Sequence, residues 1–153
     1  MSRISTVYDR LIVVLDSLMS SVSGYYRIPN VEDLKDNQIG FLRKGYGLRY
    51  NGANPEEGEF HTFVNNHNMS VVLTREVVKL DGQVEAFDTG VRNLLEDAYT
   101  VQKDFLNADQ IGEETSIRLI KFESISKVGN VIAGKGNFKT IDVNFNVLIS
   151  EDI

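Results

Sequence analysis

The sequence lacks cysteine and tryptophan and holds only two prolines and two histidines among its 153 residues. Without a thiol, the chain cannot build a zinc ribbon, an iron–sulfur site, a cysteine nucleophile or a disulfide framework. Long apolar runs are missing as well. No stretch approaches 18 apolar residues, so no membrane span is predicted. Asp9, Arg10 and Asp16 interrupt the first apolar stretch, and we therefore expect no secretory signal.

A positive charge excess is also missing. The chain has 16 Lys and Arg against 22 Asp and Glu, which gives a net charge of −6. A freestanding DNA-binding domain needs a basic footprint, and this chain offers none globally. The charge is unevenly spread: residues 1–50 carry seven basic and five acidic side chains (+2), and residues 51–153 carry nine and seventeen (−8).

The composition is that of one globular domain. Apolar residues make up 42% of the chain and charged residues 25%. A folded chain of this length buries roughly 69% of its unfolded surface, which suffices for a stable core without disulfides or a structural metal. No linker and no internal repeat divides the sequence, so we predict a single domain over residues 1–153.

Two segments have the apolar spacing of amphipathic helices. The first stripe ends before Gly24, a residue suited to stopping a helix, and consists of Ile4, Val7, Tyr8, Leu11, Ile12, Leu15, Leu18, Met19 and Val22. The second spans about 84–106, and its apolar face consists of Val84, Phe87, Val91, Leu94, Leu95, Ala98, Phe105 and Leu106.

The remaining ordered segments read as strands. Strands are predicted over 41–50, 69–80, 116–127 and 138–150, with a further one starting at 60–64. Polar or glycine-rich stretches predict loops over 30–40, 51–59, 107–115 and 129–137, and a turn at 65–68. The last strand alternates between apolar and polar residues, with Leu148 the exception, which favours an antiparallel sheet with one buried and one solvated face. We therefore predict a two-layer α+β domain, its mainly antiparallel sheet packed by two long helices on one face.

Two glycine motifs invite a nucleotide-binding interpretation. The segment 129–136 fits G-x-x-x-x-G-K, but Gly136 stands where a P-loop has Ser or Thr, and a strand follows instead of a helix. The sequence therefore favours a surface hairpin loop with Lys135 at its tip over a P-loop. Gly45 and Gly47 form half of a dinucleotide fingerprint, but no helix follows them. In a strand, glycines indicate a bulge or the close approach of another backbone.

The titratable residues form no recognisable catalytic set. His61 and His67 are six residues apart, which suits neither a helical nor a hairpin metal pair, so both are predicted to be solvated loop residues. The acidic pairs Glu56-Glu57 and Glu113-Glu114 are predicted to be solvated as well. We predict no catalytic residue, cofactor site or metal site.

One local basic cluster stands out in the N-terminal third. It consists of Arg43, Lys44 and Arg49. The cluster either keeps a strand edge soluble or contacts an acidic neighbouring subunit, and the sequence weighs these about evenly. We predict that these three residues contribute to subunit contacts, and that the loops with Glu56, Glu57 and Lys135 face partners.

The element order and three segments, FLRKGYGLRYNGANPE (41–56), MSVVLTREVVKL (69–80) and NFKTIDVNFNVLISEDI (137–153), resemble the tail terminator proteins of long-tailed bacteriophages. The resemblance covers most of the chain. It implies a non-enzymatic virion protein, assembled in the host cytoplasm, whose homohexameric ring caps the tail tube and docks to the neck or head connector. DNA would pass through the ring without specific binding, and no catalytic residues come with the family.

The size and charge of the chain are compatible with such a ring. A subunit about 38 Å across leaves a bore of about 38 Å in a hexamer, which is wider than a DNA duplex. An acidic wall would not retain phosphates. Three alternatives stay open: another neck or head-closure protein, a small phosphate-binding enzyme that uses Gly134 and Lys135, and a monomeric regulatory module.

Overall fold

The computed structural model describes residues 3–20, 24–56, 62–76, 87–105, 117–133 and 136–152. It contains three α-helices: α1 (Arg3–Ser20), α2 (Ile39–Leu42) and α3 (Phe87–Thr100), the last continued by a π-helical turn (Val101–Phe105). A 3-10 turn (Leu34–Asp36) precedes α2. Six strands complete the described elements: β1 (Tyr26–Arg27), β2 (Lys44–Glu56), β3 (Thr62–Glu76), β4 (Ile117–Ile125), β5 (Gly129–Ala133) and β6 (Gly136–Asp152).

The strands form one mixed, mostly antiparallel sheet in the order β1-β2-β3-β6-β4, with β5 also paired to β6. Among the described strands, only the short pairing of β1 with β2 is parallel. The 17-residue β6 is the central strand, because β3 accompanies it along one side while β4 and then β5 lie along the other. The α+β class and the antiparallel character predicted from the alternation in 138–150 are thus confirmed.

One face of the sheet, called here the apolar face, carries the main core. The pairing of the strands places the following buried residues on this one face: Tyr46, Leu48, Met69, Val71, Leu73, Ile141, Val143, Phe145, Val147 and Ile149. Apolar residues of α1 and of the segment from α3 to Phe105 join the same cluster. The amphipathic stripe predicted for the first helix is confirmed at Val7, Leu11, Leu15 and Met19, all at most 1% exposed.

The apolar stripe predicted for α3 is correct at Leu94, Ala98 and Phe105, which are fully buried. It is wrong at Leu95, which is 43% exposed. Leu94 and Leu95 are adjacent, and a helix turns by about 100° per residue, so only one of them can lie at the centre of the buried face. The predicted residues 84–86 and 106 lie outside the described part of the chain.

The opposite face, called here the polar face, holds a second, smaller core at one end. Ile28, Leu42, Ala133 and Phe138 are buried there, and Leu34, Ile39 and Val131 pack around them. The segment 28–42, which includes α2, supplies most of this cluster. The predicted loop over 30–40 is therefore partly wrong, because a 3-10 turn and a short helix lie within it. The strand predicted from Phe41 begins three residues later, at Lys44.

Three other predicted loops or turns are wholly or partly strands. Residues 51–56 belong to β2, and residues 65–68 belong to β3. The pairing register shifts between Tyr50 and Ala53, so Asn51 and Gly52 form a β-bulge within the strand where the sequence predicts a turn. Gly52 has a φ of +98° there. The loop predicted over 129–137 is wrong at 129–133 and 136–137, which form the paired arms of a β5–β6 hairpin in which Ala133 already pairs with Gly136. Residues 57–59, 107–115 and 134–135 lie outside the described residues.

At Gly45, other atoms of the protein approach the strand backbone closely, as the sequence predicts for a glycine in a strand. A Cβ placed there would collide with the backbone oxygen of Phe41 and would lie 2.7 Å from side-chain atoms of Ile28 and Thr74. A Gly45→Ala variant should lose about 1–3 kcal/mol of unfolding free energy, because α2 would have to move away from the sheet. Urea denaturation measures this loss. Gly40→Ala is the control, since nothing lies within 4 Å of its added Cβ. Equal stabilities for the two variants would contradict the packing argument.

Candidate partner-binding surfaces

The predicted basic cluster is not one patch. Arg43 directly follows α2 and pairs with Glu76 of β3, the two charged groups lying 3.1 Å apart. Lys44 and Arg49 are five residues apart on the same strand, so their side chains lie on opposite faces of the sheet. Lys44 lies on the apolar face, with its ammonium 4.9 Å from the centre of the Tyr25 ring. The structure therefore does not bring the three cations together.

Arg49 lies on the polar face, where it contacts other side chains of the same chain. Its guanidinium forms a 2.6 Å ion pair with Asp142 and donates a 3.1 Å hydrogen bond to the Asn51 side chain. Asn51 in turn donates to the Ser70 hydroxyl at 2.7 Å. Ser70 donates to the Asn144 side chain at 2.5 Å. This polar ladder connects β2, β3 and β6, and it gives Arg49 a role within the subunit.

Of the predicted acidic and tip residues, only Glu56 is described. It is exposed at the end of β2, opposite Val64 of β3. Glu57 and Lys135 lie outside the described residues, so their partner-facing roles stay predictions. The glycine motif around Lys135 belongs to the two arms of the β5–β6 hairpin, and a strand follows Gly136 where a P-loop would have a helix.

A different set of cations does lie together. Lys44 of β2 pairs directly with Arg75 of β3, and Arg75 pairs directly with Lys139 of β6. Directly paired residues share a face, so these three cations form a row across the apolar face, called here the basic row. The adjacent row on that face is Tyr46, Leu73 and Ile141, which belongs to the main core. The basic row is therefore the first row beyond the core at that end of the sheet.

Neighbouring side chains hold the basic row in place. Asp97 of α3 accepts a 2.9 Å hydrogen bond from the Arg75 guanidinium and a short one from the Tyr25 hydroxyl. Lys139 donates a hydrogen bond to the side chain of Asn130. Burial, together with the hydrogen bond to Asp97, raises the pKa of the Tyr25 hydroxyl far above its ordinary value. Tyr25 therefore stays protonated and keeps donating to Asp97.

Sequence reasoning missed Arg75 and Lys139 as members of a site. Both residues follow the correct alternation of their strands, so each could be assigned to the apolar face. Their juxtaposition with Lys44 depends on the register of three strands, and that register is not written in any single segment. The available signal was a cation two residues from the last core residue on the apolar face of each strand: Lys44 beside Tyr46, Arg75 beside Leu73 and Lys139 beside Ile141.

His67 corrects the prediction of two solvated histidines. It lies in β3 and is 5% exposed, and one of its ring nitrogens, Nδ1, is 2.8 Å from the Tyr50 hydroxyl. His61 lies outside the described residues. Among the described residues, no group of three His, Asp or Glu side chains is placed to hold a metal ion.

Two pockets border Tyr8 of α1, whose hydroxyl donates to the Leu48 carbonyl. One, of about 420 Å³, is lined by Ile4, Ser5, Tyr8, Asp9 and Tyr50. The other, of about 390 Å³, is lined by Tyr8, Ile12, Arg27, Ile28, Pro29, Val31, Gly47 and Leu48. Burial raises the pKa of both Tyr8 and Tyr50, so neither phenol is prepared to act as a base near neutral pH.

The sheet has an open edge on each side within the described residues. β1 pairs with β2 only at Gly45 and Tyr46, so no described strand accompanies β2 over 47–56. On the other side, β4 pairs only with β6 among the described strands. Both edges carry features that limit uncontrolled pairing: a bulge and Pro55 in β2, and the exposed Lys121 and Glu123 in β4.

The two open edges run in opposite directions. β2, β3, β6 and β4 alternate in direction, because each neighbouring pair in this order is antiparallel. The edge strand β4 of one copy could therefore continue antiparallel beside β2 of another, with the apolar faces of both sheets on the same side. Such a contact joins two different surfaces and is head-to-tail.

Comparison with known proteins adds no relationship to these observations. No family model matches the chain, and no curated protein matches it in sequence. None of the helices in the described residues combines the length and apolar character needed to cross a membrane.

Proposed function

We propose that the chain is a structural, non-enzymatic ring subunit of a bacteriophage tail, most specifically a tail terminator. Six copies form a ring that covers the last ring of the tail tube and joins it to a neck or connector protein. The proposal places the chain in the virion as one domain over 1–153, assembled in the host cytoplasm and acting without a cofactor. DNA passes through the bore without being bound.

The observation that carries the proposal is the pair of open sheet edges of opposite direction. A head-to-tail contact between two non-equivalent surfaces produces a closed ring when the rotation between copies divides a full turn. Exposed strand edges provide backbone donors and acceptors for such pairing. The resemblance in segments 41–56, 69–80 and 137–153 supports the tail as the setting, and the acidic net charge suits a DNA conduit.

The proposal includes the finer architecture expected from the sequence, in which the two longer helices, α1 and α3, cover one face of the sheet. Apolar residues of both helices belong to the cluster that contains the apolar-face strand residues. With the helices on that side, the edge of β4 and the edge of β2 beyond Leu48, whose carbonyl accepts from the Tyr8 hydroxyl, stay available for neighbours. Lys44 is retained as a contact residue. Arg43 and Arg49 are proposed to contact neighbours only in addition to their ion pairs with Glu76 and Asp142.

A direct test is the size of the purified protein alone and with assembled tail tubes. Six copies of the 17.2 kDa chain give a ring of about 103 kDa, which mass photometry resolves from a monomer. Electron microscopy should show the ring at one end of each tube. A protein that stays monomeric even when tubes are present would contradict the proposal.

A genetic test separates the terminator from the neighbouring neck protein. In a phage whose copy of this gene is disrupted, loss of a terminator should produce tails longer than normal. Loss of a neck or head-closure protein should leave heads without attached tails. Particles of normal length and full infectivity would argue against both roles.

A further inference from the structure

We propose that β4 of one copy pairs antiparallel with the free edge of β2 in the next copy, in a register that places Phe122 directly opposite Tyr50. The inference rests on the proposed function and deepens it, since it names the partner, a second copy of this chain, and the residues that meet. Its basis is the match between the two open edges in direction, in the face that each side chain occupies and in length.

The free part of the β2 edge begins at Arg49. Before it, β1 and the Tyr8 hydroxyl occupy the edge as far as the Leu48 carbonyl. Beyond it, residues 53–56 are all exposed, and no described strand accompanies them on that side. A neighbouring strand therefore has the stretch from residue 49 to residue 56 to pair with.

Pairing within each subunit fixes the face of every edge residue. On β2, Tyr50 and Ala53 lie on the apolar face, because each pairs with a β3 residue of that face. On β4, Ile120 and Phe122 lie on the same face through their pairing with β6. A slip of one residue would place these side chains against the polar face of the next sheet, so only every second register continues both faces.

One of these registers uses the free edge fully. With Phe122 opposite Tyr50, residues 117–124 of β4 lie beside residues 49–55 of β2, once each bulge is counted as one position. Ile120 then lies opposite Ala53. Aromatic side chains directly opposite each other on neighbouring strands make a favourable contact.

The two nearest alternative registers fit less well. A slide of two positions toward the start of β2 would bring β4 into the stretch that β1 and Tyr8 occupy, and it would place Lys121 opposite Arg49. Like charges directly opposite each other destabilise a sheet. A slide of two positions the other way would leave the beginning of β4 beyond Glu56, the last residue of β2.

A pocket beside the β2 edge is an independent observation in favour of this pairing. Its volume is about 420 Å³, and Tyr50 borders it together with four residues of α1: Ile4, Ser5, Tyr8 and Asp9. Side chains directly opposite each other have Cβ atoms about 5 Å apart, so Phe122 of the next copy would lie next to this pocket. In its own subunit, Phe122 is only partly buried at the margin of the main core. The contact would therefore cover apolar surface on both edges at once.

The test uses the absence of cysteine from the chain. Asn51→Cys, Lys121→Cys and Glu56→Cys are made as separate variants at exposed positions, and pairs of variants are mixed under mild oxidation over a range of protein concentrations. In the proposed register, residues 51 and 121 of two copies lie opposite each other, within the Cα separation of about 7 Å that a disulfide allows. Residue 56 lies four strand positions further along, about 13 Å away.

The mixture of Asn51→Cys with Lys121→Cys should form covalent dimers at least tenfold faster than the control mixture of Glu56→Cys with Lys121→Cys. Non-reducing gel electrophoresis measures both rates. Faster dimerisation of the control mixture would mean a different register. Equal dimerisation of one variant alone would mean a symmetric contact between like edges, and no dimers in any mixture would mean that the edges do not pair. Each of these three results would overturn the proposal.

A second pair of variants guards against a folding defect. Asn51→Cys removes part of the polar ladder, and urea denaturation shows whether the variant is stable. If it is not, Ala53→Cys mixed with Ile120→Cys tests the same register on the apolar face and should show the same preference over the control mixture.

Mass photometry and electron microscopy with tail tubes separate this inference from the proposed function. A ring of six copies whose mixed variants form no disulfide would leave the function standing and reject the contact between β4 and β2. Disulfides in the proposed register without a ring, even on tubes, would retain the contact and reject the tail terminator.

Discussion

Replacing Phe145 with alanine should lower the free energy of unfolding by about 3–5 kcal/mol, because the cavity it leaves lies at the centre of the main core. Phe145 is fully buried in the middle of β6, where its paired residues are Met69 on β3 and Phe122 on β4. Its ring also meets Phe105 edge to face, with ring centres 5.4 Å apart. The substitution therefore removes apolar burial and an aromatic contact together.

Urea denaturation at neutral pH measures this loss. Leu95→Ala is the control, because Leu95 is 43% exposed on α3 and its truncation should cost less than about 0.5 kcal/mol. The loss of the Phe105 contact should also speed amide hydrogen exchange in the turn that ends α3. A Phe145→Ala variant with nearly wild-type stability would show that β6 is not the centre of the core.

The architecture was predictable where one strand or helix carries its own periodic signal. In 138–150, the odd-numbered residues from Ile141 to Ile149 are buried, as the alternation predicts for a strand with one solvated face. The apolar stripe of α1 is an equally clear periodic signal, because its eighteen residues form five helical turns with consistent apolar spacing. Signals of this kind depend on local geometry alone.

Local turn signals misled where long-range pairing outweighed them. Asn51-Gly52 and Pro55 favour a loop, but β3 provides a paired partner for β2 on both sides of the bulge. The polar run 65–68 is likewise held as strand between β2 and β6. His67 is buried within this run because its neighbours in the register are Ala53 and Val147. Burial there is a property of the sheet and has no signature in the residues next to it.

The candidate site was predictable only in part. Lys44 was identified from sequence, but it was grouped with Arg43 and Arg49 because the three are close along the chain. Strand geometry separates neighbours in sequence and joins distant ones: Lys44 and Arg49 lie on opposite faces, while Lys44 and Lys139 share a row. A sequence without an alignment contains no direct information on that register.

Alkaline pH should destabilise the protein through Tyr25. Burial and the hydrogen bond to Asp97 raise the pKa of its hydroxyl far above the ordinary value of about 10. The unfolded chain ionises this group as pH rises past 10, whereas the folded chain keeps it protonated. The stabilisation is therefore complete below about pH 10 and is lost above it, by about 1.4 kcal/mol for each pH unit.

Ionisation of Tyr46 should also lower the stability of the folded protein at alkaline pH. Burial and its 2.8 Å hydrogen bond to Asp16 raise the pKa of Tyr46 to about 12. Its contribution is smaller because the pKa of Tyr46 is raised less than that of Tyr25. Together the two tyrosines link the segment after α1, and α1 itself, to groups on the sheet and on α3, so their ionisation weakens contacts between the layers.

Urea denaturation at intervals from pH 7 to 11.5 tests this account, with Tyr25→Phe as the decisive variant. At pH 7 the variant should lose about 0.5–1.5 kcal/mol, the usual contribution of one hydrogen bond. Above pH 10 its stability should fall less steeply than that of the wild type, so the two curves should converge. Tyr99→Phe, at a position 67% exposed, is the matched control and should follow the wild-type curve. Parallel curves for Tyr25→Phe and the wild type would mean that Tyr25 ionises equally in the folded and unfolded states, and its hydrogen bond to Asp97 would then make no contribution to the loss of stability at alkaline pH.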